Sequence, residues 1–166
     1  MIRRALASLL VLAAPASAQA PARDDATAFS RGVDAYFAED FQSAWFFWLG
    51  PAERGFAEAQ FSLGVLYLRG EGVPADLAIA RRWFENAAAQ GHAEARLNLA
   101  KIYDEGLGVP RDAAQAYIHA MRAANLLAGE ERRIARDIAA SIARRMTADE
   151  AERARRALME GSGPRR

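Results

Sequence analysis

The stretch Ala57–His92, AEAQFSLGVLYLRGEGVPADLAIARRWFENAAAQGH, is followed from Ala93 to Ala128 by AEARLNLAKIYDEGLGVPRDAAQAYIHAMRAANLLA. The two align without a gap at an offset of 36 residues. Among the identical pairs are Leu63/Leu99, Tyr67/Tyr103, Gly70/Gly106, Gly72/Gly108, Val73/Val109, Pro74/Pro110, Asp76/Asp112, Ala80/Ala116 and Ala87/Ala123. Self-similarity at a fixed period of roughly 20–50 residues is how stacked supersecondary units appear in sequence. A repeat built to stack offers a surface before it offers a reaction.

Each unit reads as two antiparallel helices. The first, from about Ala57 to Leu68, places Leu63, Leu66 and Tyr67 on one face at helical spacing. Small residues at Ala59 and Gly64 admit a close neighbour. In the connection Arg69-Gly70-Glu71-Gly72-Val73-Pro74 the glycines suit the positive φ that ends a helix, and Pro74 blocks its continuation. Asp76 is placed to cap a second helix running to about Ala89, with Ala80, Phe84, Ala87 and Ala88 inward.

The pattern LGxLYxxGxGVPxDxxxAxxWFxxAAxxG, carried by residues 63–91, closely resembles the Sel-one-like repeat, a relative of the tetratricopeptide repeat. The resemblance covers Ala57 to about Gly129, as repeats 57–92 and 93–129. It implies an all-α solenoid, a right-handed superhelix of antiparallel helix pairs. Upstream, residues 24–56 form a degenerate unit: Asp40, Ala44, Ala52 and Gly55 each lie one period before Asp76, Ala80, Ala88 and Gly91. Gly32 to Asp40 is four residues shorter than Gly64 to Asp76, so this hairpin has plain tetratricopeptide spacing without the Gly-Val-Pro loop. Downstream, His119-Ala120 replaces Trp83-Phe84, and the terminal glycine slips to Gly129. Residues 130–160 read as two capping helices. Ile134, Ile138, Ile142 and Met146 form an apolar stripe, and Thr147-x-x-Glu150 is a capping box opening a last helix with Ala151, Ala154 and Leu158 inward. Residues 161–166 are expected to be a disordered tail.

The first eighteen residues have the layout of a secretory signal peptide: basic Arg3-Arg4, an apolar run from Ala5 to Ala14, and the small-x-small triplet Ala16-Ser17-Ala18. The run is too short for the roughly 20 residues a bilayer span needs. Cleavage after Ala18, with Ala20 as second choice, predicts a periplasmic or secreted protein that does not span a membrane. Removing Arg3 and Arg4 from 22 basic residues leaves 20 against 21 acidic ones, which gives no electrostatic reason to expect a nucleic-acid partner. The chain has no cysteine, so stability rests on helix packing without disulfides.

The residues assemble no recognisable chemistry. His92 falls in a turn between repeats and His119 on a helix, with no histidine pair at metal-ligand spacing. Gly70-x-Gly72 follows a helix and lacks the Gly-Lys-Ser/Thr of a phosphate loop. Asp104-Glu105 and Asp24-Asp25 are sequence neighbours, without the differing environments that an acid–base pair needs. No catalytic, cofactor or metal site is therefore expected. Cysteine-rich relatives associated with β-lactam binding or hydrolysis depend on disulfide-locked repeats, which this chain cannot form.

Two surfaces remain. In Trp45-Phe46-Phe47-Trp48 the side chains step by about 100° each and cover most of a helix circumference. The core is expected to take Phe41, Ala44, Phe47 and Trp48, leaving Trp45 or Phe46 either covered by the N-terminal arm or exposed as a partner anchor. The second surface is the concave side, lined in tetratricopeptide relatives by the first helix of each pair. That pattern nominates Phe61, Val65, Leu68 and Arg69, then Leu97, Lys101, Asp104 and Glu105. The expected function is a non-catalytic protein–protein interaction module holding a protein or peptide in this groove. Resemblance to exported relatives suggests an adaptor or regulator in envelope signalling, exopolysaccharide or cell-wall processes. A cell-wall or β-lactam-acting enzyme and a peptide-binding chaperone are the competing readings.

Overall fold

The computed structural model describes residues 23–160, which form helices and connections with no strand among them. The order is α1 (Arg23–Phe37), α2 (Phe41–Glu53), α3 (Ala57–Arg69), α4 (Leu77–Ala89), α5 (Ala93–Glu105), α6 (Ala113–Leu126), α7 (Gly129–Ala143) and α8 (Ala148–Glu160). The expected signal peptide and C-terminal tail lie outside the described residues. Extensive packing runs between sequence neighbours from α1 through α7, and α8 lies against α6. The architecture is the helical-repeat solenoid that the periodicity predicts.

Repetition of sequence becomes repetition of caps. The side chains of Asp76 and Asp112 sit at equivalent N-caps. Asp76 Oδ1 accepts from the Ala78 and Ile79 amides at 2.9 Å each, and Asp112 Oδ1 from Ala114 and Gln115 at 3.0 and 3.2 Å. Asp40 does the same for α2, accepting from the Ser43 amide at 3.1 Å. Replacing Asp76 by alanine is expected to cost about 1 kcal/mol and by asparagine only a few tenths, read as shifts in the urea midpoint. Equal losses for both would show that the carboxylate does more than cap.

The loop between paired helices also registers one unit on the next. Gly72 has φ +71°, and a Cβ there would lie 2.6 Å from the Phe41 carbonyl carbon, at the start of α2. Gly108 has φ +69°, and its Cβ would lie 2.9 Å from Leu77 Cβ, at the start of α4. Leu77 is one period after Phe41, so the loop approaches the start of the second helix at the equivalent position in both units, against backbone in one and a side chain in the other. The α1–α2 turn meets no earlier helix among the described residues, and it is closed by Glu39 at φ +60° instead.

Between the helices the core is mainly alanine, which lets axes approach, with Leu63, Leu66, Phe84, Leu99, Ile102 and Ile142 as its large fully buried side chains. Gly64 lets the Phe84 ring lie against α3; a Cβ would fall 2.5 Å from Phe84 Cε1. Three sequence expectations need correction. Helix α6 ends at Leu126, and Gly129 (φ +52°) opens α7 rather than closing α6. In α7 the buried face is Ala135, Ala139 and Ile142, while Ile134 and Ile138 are exposed, because close contact with α6 selects the smaller residues. In α8 Ala154 is buried but Ala151 is exposed. The capping box is present as expected: the Thr147 amide donates to Glu150 Oε2 at 2.8 Å and the Glu150 amide to Thr147 Oγ1 at 3.3 Å.

Candidate functional site

The first helices of successive pairs, α1, α3, α5 and α7, present two grooves. One lies between α1 and α3, about 340 Å³, walled by Val33, Tyr36, Phe37, Trp48, Phe61, Ser62, Val65 and Arg69. The other lies between α5 and α7, about 320 Å³, walled by Leu97, Asn98, Ala100, Lys101, Asp104, Glu105, Ile138 and Ile142. The structure thus places Phe61, Val65 and Arg69 in the first groove and Leu97, Lys101, Asp104 and Glu105 in the second. Leu68 is half-buried and packs between repeats against the core of Phe84, Leu99 and Ile102, so it is a packing residue rather than a groove wall.

Charge in the grooves is partly committed to the fold. Arg69 Nη1 donates to the Tyr36 hydroxyl at 2.9 Å, and that hydroxyl donates to Glu71 Oε2 at 3.2 Å, tying the end of α3 to α1. Asp104 is clamped by Arg145 at 2.6 Å, with Arg111 at 3.7 Å, and Arg111 in turn lies 3.9 Å from Glu150. The nominated groove residue Asp104 is therefore paired with arginines from the α5–α6 and α7–α8 connections. Lys101 and Glu105 are exposed and make no ion pair among the described residues. Phe37, 81% exposed, and Ile138 stand at the groove edges; sequence reasoning missed both. Their signal was a large apolar residue on a helix face whose packing positions are held by other side chains.

The aromatic run sorts differently from expectation. Trp45 is half-buried; its Nε1 donates to the Tyr67 hydroxyl at 3.1 Å and its ring packs on the N-terminal core. Trp48 is buried, with Nε1 donating to the Phe29 carbonyl at 3.1 Å. Phe47 lies outside that core, its ring covered by the Arg31 guanidinium 4.4 Å from the centroid. Phe46 is the exposed member, at 71%. Trp45 is accordingly part of the packing, and Phe46 alone of the four is presented to solvent.

Neither histidine sits in a reactive arrangement. His92 stacks on Phe61 at 4.5 Å, and its Nδ1 accepts from the Ala95 amide at 3.3 Å, capping α5. His119 is mostly buried and stacked flat on Tyr103; burial first, then the Arg96 and Arg122 charges, push its pKa down to about 4. Among the described residues no group of three His, Cys, Asp or Glu could hold a metal ion, and no helix is long and apolar enough to cross a membrane.

Comparison with known proteins fits this geometry. The Sel1 repeat model matches residues 57–92 and 93–126. Among solved structures, c5321, described as a protective antigen present in uropathogenic Escherichia coli strains displaying an SLR fold, superposes with a TM-score of 0.73. It is 25% identical, over 87% of this chain and 34% of that one. A Sel1 repeat protein from Oxalobacter formigenes superposes with a TM-score of 0.56 and 28% identity, over 62% of this chain and 44% of that one. The chain thus spans about a third of the first protein and under half of the second. Among curated proteins none is significantly similar to it. Sel1 repeats generally mediate protein–protein interaction and are typically non-catalytic scaffolds. The chain carries two Sel1 repeats, on residues 57–126, within a solenoid of Sel1-like fold.

Proposed function

We propose that the protein is a non-catalytic interaction module that holds a protein or peptide along the face formed by α1, α3, α5 and α7. The observation that carries this reading is the pair of apolar-walled grooves on that one face, with Phe37 and Ile138 exposed at their edges. Apolar side chains of a partner entering both grooves would be desolvated by residues already fixed in the fold, while Lys101 and Glu105 at the rim set polarity and register. The N-terminal eighteen residues support action in the periplasm or outside the cell, as an adaptor or regulator of envelope processes. N-terminal sequencing of the exported form should then begin at Gln19.

A photo-crosslinking residue placed at Phe37 or at Ile138 in intact cells is expected to trap the same partner, and one at Arg82 on α4 to trap none. Adducts at Arg82 without adducts at the groove positions would overturn the reading. With the partner in hand, Phe37→Ala combined with Lys101→Glu should weaken capture by about tenfold or more at unchanged melting temperature. Both residues are exposed and neither is a core member. Arg69 is a poorer probe, since removing it also breaks the bond to Tyr36.

A further inference from the structure

The two repeats differ at three positions that lie close together in the second. In the first, Gln60 is a satisfied buried amide: its Nε2 donates to the Ala52 carbonyl at 3.0 Å and its Oε1 accepts from Gln90 at 2.8 Å. One period later the residue is Arg96, half-buried, with its Nε enclosed and without a partner and no ion pair among the described residues. Trp83 is succeeded by His119, whose ring lies parallel to Tyr103 at 5.7 Å and whose Nδ1 is enclosed without a partner. Asn86 is succeeded by Arg122, also half-buried, whose one hydrogen bond among the described residues goes to the Ala157 carbonyl at 3.4 Å.

The two guanidinium groups repel: burial and the neighbouring Arg122 both disfavour the charge on Arg96. On the preceding unit Glu85 is already engaged, accepting from Arg81 Nη1 at 2.5 Å and from the Tyr103 hydroxyl at 3.3 Å. Elsewhere the chain places an acid against half-buried or bridging arginines, as in Arg54–Asp25, Arg81–Glu85 and Arg145–Asp104. Partly desolvated like charges without a counter-charge cost free energy, which a bound anion would offset. The guanidinium fork matches two oxygens of a carboxylate or phosphate, and a neutral imidazole adds one N–H donor.

We propose that Arg96 on α5, with His119 and Arg122 on α6, binds an oxyanion: a carboxylate of a protein partner or a free phosphate. This site is on different residues from the grooves and stands independently of their occupancy. It is tested on the whole protein at pH 7 by following the Arg Nε–H and His119 ring NMR signals. Sodium acetate or sodium phosphate replaces sodium chloride at fixed ionic strength. The expected result is a saturable shift of the Arg96 and Arg122 signals, with a dissociation constant on the order of 1 mM. Saturation by acetate identifies a carboxylate site, and saturation by phosphate alone a phosphate site. In a separate pH titration the bound anion should raise the His119 pKa from about 4. Arg96→Gln and Arg122→Asn, each restoring the first repeat's residue, should weaken saturation by at least about tenfold with melting retained. Linear, unsaturated shifts with both salts would overturn the site, as would saturation unchanged in both variants.

Discussion

Gly72→Val is expected to lower the stability of the protein by about 4 kcal/mol, a large fraction of what a domain of this size holds. Two costs combine. A side chain at φ +71° is strained by about 1–3 kcal/mol, and more so when β-branched. A Cβ there also falls 2.6 Å from the Phe41 carbonyl carbon and 2.8 Å from the Gln42 amide nitrogen, backbone atoms that cannot rotate away, for a further overpacking cost of about 1–3 kcal/mol. Gly91 separates the two: its φ is +92°, but no atom lies within 4 Å of where its Cβ would stand. Gly72→Ala should therefore lose clearly more than Gly91→Ala in urea denaturation followed by circular dichroism. Equal losses would mean that the approach of the loop to α2 is soft and does not register the units.

Acid should destabilise the protein through His119. In the unfolded chain this imidazole takes up its proton near pH 6.5, whereas in the fold it does so only at about 4, chiefly because burial disfavours the charged ring. Between those values the unfolded state holds more protons, so stability falls as the pH is lowered from 6.5 towards 4. Above 6.5 the contribution is complete; below 4 this group adds no further slope. The fall from 6.5 to about 4 corresponds to about 3 kcal/mol across the window. The charges facing the ring are Arg96 from α5 and Arg122 from α6, both cationic, and Glu85 of α4 is held by Arg81 and Tyr103. His119→Phe keeps a ring against Tyr103 and removes the titration. The variant should therefore lose much less stability between pH 6.5 and 4.5 than the parent. Parallel pH profiles would show that His119 does not carry the loss in this window; Asp40 and Glu150, whose carboxylates accept backbone N–H bonds and titrate low, give up their contributions only at lower pH.

What could be read from the sequence was what is decided locally. Gly-x-Gly-Val-Pro-x-Asp fixes a turn, a stop and a cap within seven residues, and all three recur where the period places them. The groove residues came from the tetratricopeptide resemblance, and the fold places Phe61, Val65 and Arg69 in one cavity and Leu97, Lys101 and Glu105 in another. Apart from the local slip at Gly129, the misreadings turn on partners from other helices. Trp45 rather than Phe47 turned inward because the Tyr67 hydroxyl, 22 residues on, receives its N–H. Asp104, nominated for the groove, is held by Arg145, 41 residues away. On α7 the expected isoleucine stripe gave way to alanines, since a helix lying close against α6 buries small side chains and leaves Ile134 and Ile138 outside.

The approach of Gly72 to Phe41, repeated by Gly108 to Leu77, registers each loop on the opening residue of the second helix before it. Nothing in that seam depends on how many units precede or follow. A duplicated copy of residues 57–92 inserted between His92 and Ala93 would therefore meet Leu77 with its own copy of Gly72, a pairing the chain already makes through Gly108. The copied Leu77 would in turn receive Gly108. The solenoid can thus be lengthened as a cassette, extending the face that carries both grooves while its two differently built ends stay as they are.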